Sequence, residues 1–90
     1  MKLDLTKDAT SFLAELPAKQ FKQVTSRIHG LMRDPNPHDA KHIHGRPGYR
    51  RVAVGEYRII YTVEGDTIKV PVIGKRNDDE VYRILDRKPK

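Results

Sequence analysis

From Val52 to Ile73 apolar residues recur at every second position, and Gly55-Glu56 and Glu64-Gly65-Asp66 break the pattern. An extended chain points successive side chains to opposite faces, so a stretch of this kind hides one face and shows the other. Short glycine-bearing breaks between such runs are hairpin turns. The pattern predicts three antiparallel strands, near Tyr49 to Val54, Tyr57 to Val63 and Thr67 to Ile73. Pro71 falls inside the third. Proline has no N–H for the ladder, so an edge, a bulge or a strand end is expected there.

The first half of the chain supplies the cover for that sheet. Met1, Leu3 and Leu5 alternate as in a short strand. Thr6 or Asp8 caps a helix that starts near Ala9 and carries Phe12, Leu13 and Leu16 on one face. Pro17 ends it and suits the start of a second helix. There Phe21, Val24, Ile28, Leu31 and Met32 form one amphipathic stripe, which Pro35 and Pro37 stop. His38 to Gly48 reads as a loop. Asp78 or Asp79 caps a short last helix bearing Val81, Ile84 and Leu85, and Asp86 to Lys90 is expected as a solvated tail. The order β-α-α-β-β-β-α predicts one α+β domain over residues 1–90, with an antiparallel meander. A chain of 90 residues leaves room for a single core, and such a domain buries only about 60–65% of its unfolded surface.

Register places the charges. With Gly55-Glu56 as a two-residue loop, Val54 faces Tyr57, Ala53 faces Arg58 and Val52 faces Ile59. Val52, Val54, Tyr57, Ile59, Tyr61 and Val63 then share the apolar face, and Arg51, Ala53 and Arg58 share the open one. With Val63 opposite Ile68, Ile59 lies near Val72 and Arg58 near Ile73. Lys75 and Arg76 leave the strand end close to the first turn. The formal charge of +6 and the pI near 9.8 gain meaning from this clustering. Several guanidinium forks aimed at one spot suit phosphate oxygens, which they bind bidentately, so a polyanion or an acidic partner protein is expected.

Other chemistry is thinly represented. The absence of cysteine excludes a thiol nucleophile, a disulfide staple and a cysteine zinc site, and fits a cytoplasmic protein. The opening MKLDLTKDAT has no apolar run, so no secretory signal is expected. No stretch approaches the roughly 20 apolar residues of a membrane span. His42-x-His44, with His38 near, is too sparse a ligand set to predict a metal. His44 is the histidine kept as a possible acid or base, since imidazole titrates near neutrality. His29 is expected on the surface. Tyr57 and Tyr61 are expected in the core and Tyr49 beside the loop, which leaves Tyr82 as the tyrosine to watch.

The stretch from Tyr49 to Leu85 resembles the C-terminal half of RelE/ParE superfamily toxins of type II toxin–antitoxin systems. A cation-bearing strand leads into Gly55-Glu56-Tyr57-Arg58-Ile59-Ile60-Tyr61, a third strand ends in Gly74-Lys75-Arg76, and Tyr82 follows in the last helix. The N-terminal strand and helical hairpin match that family's layout as well. The resemblance implies a metal-independent endoribonuclease that cuts messenger RNA on the ribosome, needs no cofactor and is restrained by a cognate antitoxin protein. It implies Arg51, Arg58, Arg76 and Tyr82 as the catalytic set, with Arg50, Lys75, Arg46 and Lys41 as RNA-binding cations around it. The chain departs from the family at Ala53, where better-known members carry a second cation. Arg50 could replace it only if a bulge turned it to the same face.

Two other readings share these residues. ParE-like members of the same superfamily inhibit DNA gyrase through protein contact and cleave nothing. A nonenzymatic RNA- or DNA-binding module would need the positive face alone and would tolerate loss of the Tyr82 hydroxyl.

Overall fold

The computed structural model describes residues 1–76 and 80–87. Its elements are β1 (Lys2–Leu5), α1 (Lys7–Ala14), α2 (Ala18–Arg33), β2 (Lys41–His42), β3 (Tyr49–Val54), β4 (Tyr57–Glu64), β5 (Thr67–Lys75) and α3 (Glu80–Arg87). The α+β class stands, with a five-stranded mixed sheet in the order β1-β5-β4-β3-β2. The β3-β4-β5 meander is antiparallel, as alternation predicts. Two strands were not placed by local pattern. The N-terminal β1 lies parallel to β5, with Lys2 opposite Thr67. Two residues inside the expected loop, Lys41 and His42, pair with Arg51 and Arg50 as a short edge strand.

Local chemistry explains the helix ends. Of the two expected caps, Thr6 is the one used. Its hydroxyl accepts from the Ala9 N–H at 3.2 Å, which satisfies one of the free donors at the start of α1. The same hydroxyl donates to the Pro71 carbonyl at 2.6 Å, so a single side chain ties the helix start to the sheet. Pro17 is the N-cap residue of α2. The expected Asp78 or Asp79 cap of the last helix lies outside the described residues. Asp86, expected in the tail, belongs to α3.

The first hairpin has the expected register, with Val54 opposite Tyr57 and Ala53 opposite Arg58. Gly55 takes φ +57° at the first corner of that turn, a conformation open to glycine but costly for residues with a Cβ. The second hairpin departs from expectation beyond Thr62. Ile60 pairs with Val72 and Thr62 with Lys69, so Tyr61 alone faces Val70 and Pro71. Of the three readings of Pro71, the bulge is therefore correct: β5 lies between β1 and β4, and proline sits where the ladder is interrupted. The extra residue reverses the alternation of β5. Ile68 and Val70 face α1 and α2 before the bulge and Ile73 does so after it, while Val72 faces α3. Arg58 accordingly opposes Gly74 rather than Ile73, and Lys75 opposes Tyr57.

Two apolar clusters result. The larger unites Ala9, Leu13, Val24, Ile28 and Leu31 of the helices with Val52, Ile59, Tyr61, Ile68, Val70 and Ile73 of the sheet. Tyr61 is fully buried and donates its hydroxyl to the Pro35 carbonyl at 2.9 Å; Tyr57 packs edge-on against Phe12. Phe21 departs from its stripe and is 44% exposed. The smaller cluster lies on the other face, where Val81 and Leu85 of α3 cover Ile43, Ile60 and Val72. The face expected to be open is therefore half covered. The cover is close: a Cβ on Gly74 would overlap the Val81 side chain, so glycine at this position lets α3 settle on β5.

Candidate functional site

The uncovered half of the second face holds the cations. Arg51 and Arg58 come from neighbouring strands, offset by the pairing of Ala53 with Arg58. Between them α3 inserts Tyr82, whose oxygen accepts from Arg51 Nη1 at 2.9 Å and from Arg58 Nη1 at 3.0 Å. The Arg58 guanidinium also lies 5.5 Å from the centre of the Tyr82 ring, and that of Arg46 lies 5.3 Å away. Cations at such distances over a ring are attracted by its quadrupole.

A recess opens beside this junction, lined by Asp39, Lys41, Arg51, Val52, Ala53, Arg58 and Arg76. The Pro71 bulge is the reason Arg76 belongs there. Reversed alternation puts Gly74 and Arg76 on the Arg58 side of β5 and Lys75 on the other. The Arg76 N–H donates to the Glu56 carbonyl at 2.8 Å, which holds the strand end against the first hairpin turn. Lys41 stands directly opposite Arg51 and lines the recess together with Ala53. The cation missing at Ala53 is thus matched by one from the short edge strand. The one acid of the recess, Asp39, is held by Arg27 of α2 at 2.6 and 2.7 Å. This hydrogen-bonded guanidinium keeps the Asp39 carboxyl below its ordinary range, so its charge is spent on Arg27 and opposes the recess cations less.

A second recess shares Arg51 with the first and is lined also by Tyr82, His42, Ile43, His44 and Arg46. His44 therefore borders the junction, as its sequence position allows. Arg46 is not free in it: its Nε and Nη2 donate to the two oxygens of Asp86 at 2.8 and 2.5 Å. Among the described residues no three His, Asp or Glu side chains converge as a metal site would require, and no helix is long and apolar enough to cross a membrane.

Of the expected site residues, Arg51, Arg58, Arg76, Tyr82 and Lys41 meet at one place, with His44 and Arg46 on its border. Arg50 does not join them. No bulge turns it, and it donates from the opposite face to the Pro35 carbonyl at 3.3 Å. Lys75 is exposed on that same opposite side. Sequence reasoning missed Asp86, which carries no motif and acquires a role only when α3 docks.

The family model described as the ParE toxin of a type II toxin–antitoxin system, parDE, matches residues 3–80. No curated protein matches the chain. Solved structures do. A mutant RelE toxin of E. coli in the free state has a TM-score of 0.80 at 22% identity, covering 98% of this chain and 97% of that one. The RelB–RelE antitoxin–toxin complex from Methanococcus jannaschii has a TM-score of 0.68 at 28% identity, covering 96% and 99%. The RelBE2 toxin–antitoxin complex from Mycobacterium tuberculosis has a TM-score of 0.71 at 22% identity, covering 83% and 96%.

Proposed function

Because the chain belongs to the ParE toxin family of type II toxin–antitoxin systems and shares the RelE fold, we propose that it is a RelE-like endoribonuclease that cuts messenger RNA on the ribosome. The observation that carries this reading is the Tyr82 oxygen, held by two arginines at the mouth of a recess lined by Arg76 and Lys41. A phenol oxygen set among cations that suit phosphate supports the nuclease reading over one of protein contact alone.

The reaction is attack of a ribose 2′-oxygen on the adjacent phosphorus, with loss of the 2′ proton and cleavage of the bond to the 5′-oxygen. The Tyr82 oxygen is the general base we assign to that proton, held in place by the N–H donors of Arg51 and Arg58. Arg58, Arg76 and Lys41 face the phosphate, whose charge rises towards a dianion in the transition state. Preorganised cations at that point are commonly the largest catalytic term. Arg76 stabilises the leaving 5′-oxygen electrostatically, since a guanidinium rarely gives up its proton. His44, in the adjoining recess, is our candidate for protonating that oxygen. The cation cluster supplies the charge that a divalent ion supplies in other nucleases, and we infer no cofactor.

The natural partner is a protein antitoxin, as in the complexes that the fold matches. We place it over the Arg51/Arg58/Arg76 face or in the seat of α3, since either position disables the junction. A complex leaving the face open and α3 in place would remove this assignment. The site of action is the translating ribosome, and hence the cytoplasm.

The test is cleavage of messenger RNA on programmed ribosomes by the wild-type chain, Arg76→Ala and Tyr82→Phe. We expect cleavage by wild type and sharp loss in both variants. The match to the ParE model favours one second reading, inhibition of DNA gyrase by protein contact. A wild-type chain that arrests growth, leaves messenger RNA intact and inhibits gyrase supercoiling would replace our reading with that one.

A further inference from the structure

Tyr82 can serve the junction only if α3 is held in orientation by what it packs against. It spans Glu80–Arg87, about two turns, and helices this short are marginal without tertiary support. Its apolar edge, Val81 and Leu85, rests on Ile43, Ile60 and Val72. A helix seated along one edge can still rock about that edge, and rocking would swing Tyr82 in or out of the arginine pair.

A further attachment is ionic. Tyr82 and Asp86 are four residues apart and so lie on one side of α3, one turn above the other. Arg46, in the segment before β3, reaches both. Its Nε and Nη2 bind the two Asp86 oxygens at 2.8 and 2.5 Å, and its guanidinium carbon lies 5.3 Å from the Tyr82 ring centre. The two-pronged geometry fixes direction as well as distance. We propose that Asp86 and Arg46 form a positioning pair that holds the Tyr82 phenol in register with Arg51 and Arg58. The proposal deepens the nuclease reading and rests on it for its catalytic consequence. It gives Arg46, expected from sequence as an RNA-binding cation, a different task.

The pair is built for orientation rather than stability. The Arg46 and Asp86 side chains are 28% and 57% exposed, and solvent screens such pairs until they add little to folding. Placement of a reacting group is more sensitive, because displacements of about 1 Å can cost up to roughly a hundredfold in rate.

The experiment compares wild type with Asp86→Asn, Asp86→Glu and Glu64→Gln. The last removes a similarly exposed ion pair, Glu64 to Lys69 at 3.0 Å, remote from the junction. On programmed ribosomes we expect Asp86→Asn to lower kcat by about fivefold to tenfold, with KM and thermal midpoint unchanged. Asp86→Glu should recover most of the loss, and Glu64→Gln should match wild type. In parallel, proton NMR should show the Arg46 δ-methylene shifted upfield by the Tyr82 ring in wild type and Asp86→Glu, and near its coil position in Asp86→Asn. Tighter ribosome binding by Asp86→Asn with kcat intact would overturn the proposal and make Asp86 a place-holder for phosphate. An unchanged Arg46 signal in Asp86→Asn would overturn it as well. If wild type cuts no messenger RNA, the nuclease reading fails, and the NMR arm still decides whether the pair holds Tyr82.

Discussion

The two faces of the sheet are built by opposite rules. Against α1 and α2, Val52, Ile59, Tyr61, Ile68 and Ile73 close a dry core in which Tyr61 keeps one polar atom, bonded to Pro35. Burial of that phenol pushes its pKa up, and it takes no part in the charged chemistry across the sheet. Against α3, the apolar cluster stops halfway, and where it stops Tyr82 meets Arg51 and Arg58. The two phenols lie in one domain on opposite sides of one sheet. Partners decide what each can do: a carbonyl acceptor makes Tyr61 a donor, and two guanidiniums make Tyr82 an acceptor. Closed apolar packing lies on one face, and the charged junction lies at the unfinished border of the other.

Perturbing the faces separately tests this division, and the largest effect should come from the strand that serves both. Insertion of one alanine between Val72 and Ile73 shifts the end of β5 by one position and sends Ile73 and Arg76 to the wrong sides. We expect no cooperative unfolding transition by circular dichroism. A cooperatively folded, active insertion variant would show that the register of β5 does not set the faces.

Next is Tyr82→Phe, which should reduce ribosomal cleavage by about 10²–10⁴-fold while moving stability by no more than about 0.5 kcal/mol. Equal losses in both quantities would erase the distinction between the faces. The mirror experiment is Ile59→Ala in the closed core. It should cost about 2–5 kcal/mol in denaturant unfolding and leave kcat of the folded fraction close to wild type.

Gly74→Ala lies between these extremes. The added methyl meets Val81, so α3 must lift. Overpacking of this kind costs about 1–3 kcal/mol, and we expect activity to fall further than stability does. Retention of full cleavage would mean that the seat of α3 tolerates displacement.

The smallest effect is one of pH. The hydrogen-bonded Arg46 guanidinium holds the Asp86 carboxyl below its usual value of 3.8. A depressed folded-state value means that the contribution is present above the unfolded value and is lost as pH falls through the folded one. Protection of the α3 amides relative to their intrinsic exchange should therefore fall below about pH 4, and Asp86→Asn should remove that dependence. A wild-type chain without the acid limb would detach Asp86 from the docking of α3.

The fold was legible where its rules are local. A two-residue glycine turn fixed the first hairpin, so the positions of Arg51 and Arg58 followed from counting. Beyond Thr62 counting failed, because alternation reveals period but not an inserted residue. Pro71 flagged an irregularity whose form depends on both neighbouring strands. The parallel pairing of β1 with β5 has no turn to announce it, and Lys41-His42 is too short to show a period. The cations Arg51 and Arg58 were legible because the glycine turn sets their register and alternation puts them on one face. Asp86 was not, since its bond to Arg46 spans 40 positions and exists only after Gly74 has admitted α3.

The parallel pairing of β1 with β5 also sets an order of assembly. Lys2 waits for Thr67, and closure over such a distance is slow compared with hairpin formation. While the chain is being synthesised, β3 and β4 can pair early, yet β1 has no neighbour until β5 emerges. Tyr82 and Asp86 follow later still, so the junction they complete cannot exist on a partly made chain. On the proposed nuclease reading, a nascent copy is harmless to the ribosome that makes it, and the danger begins only after release.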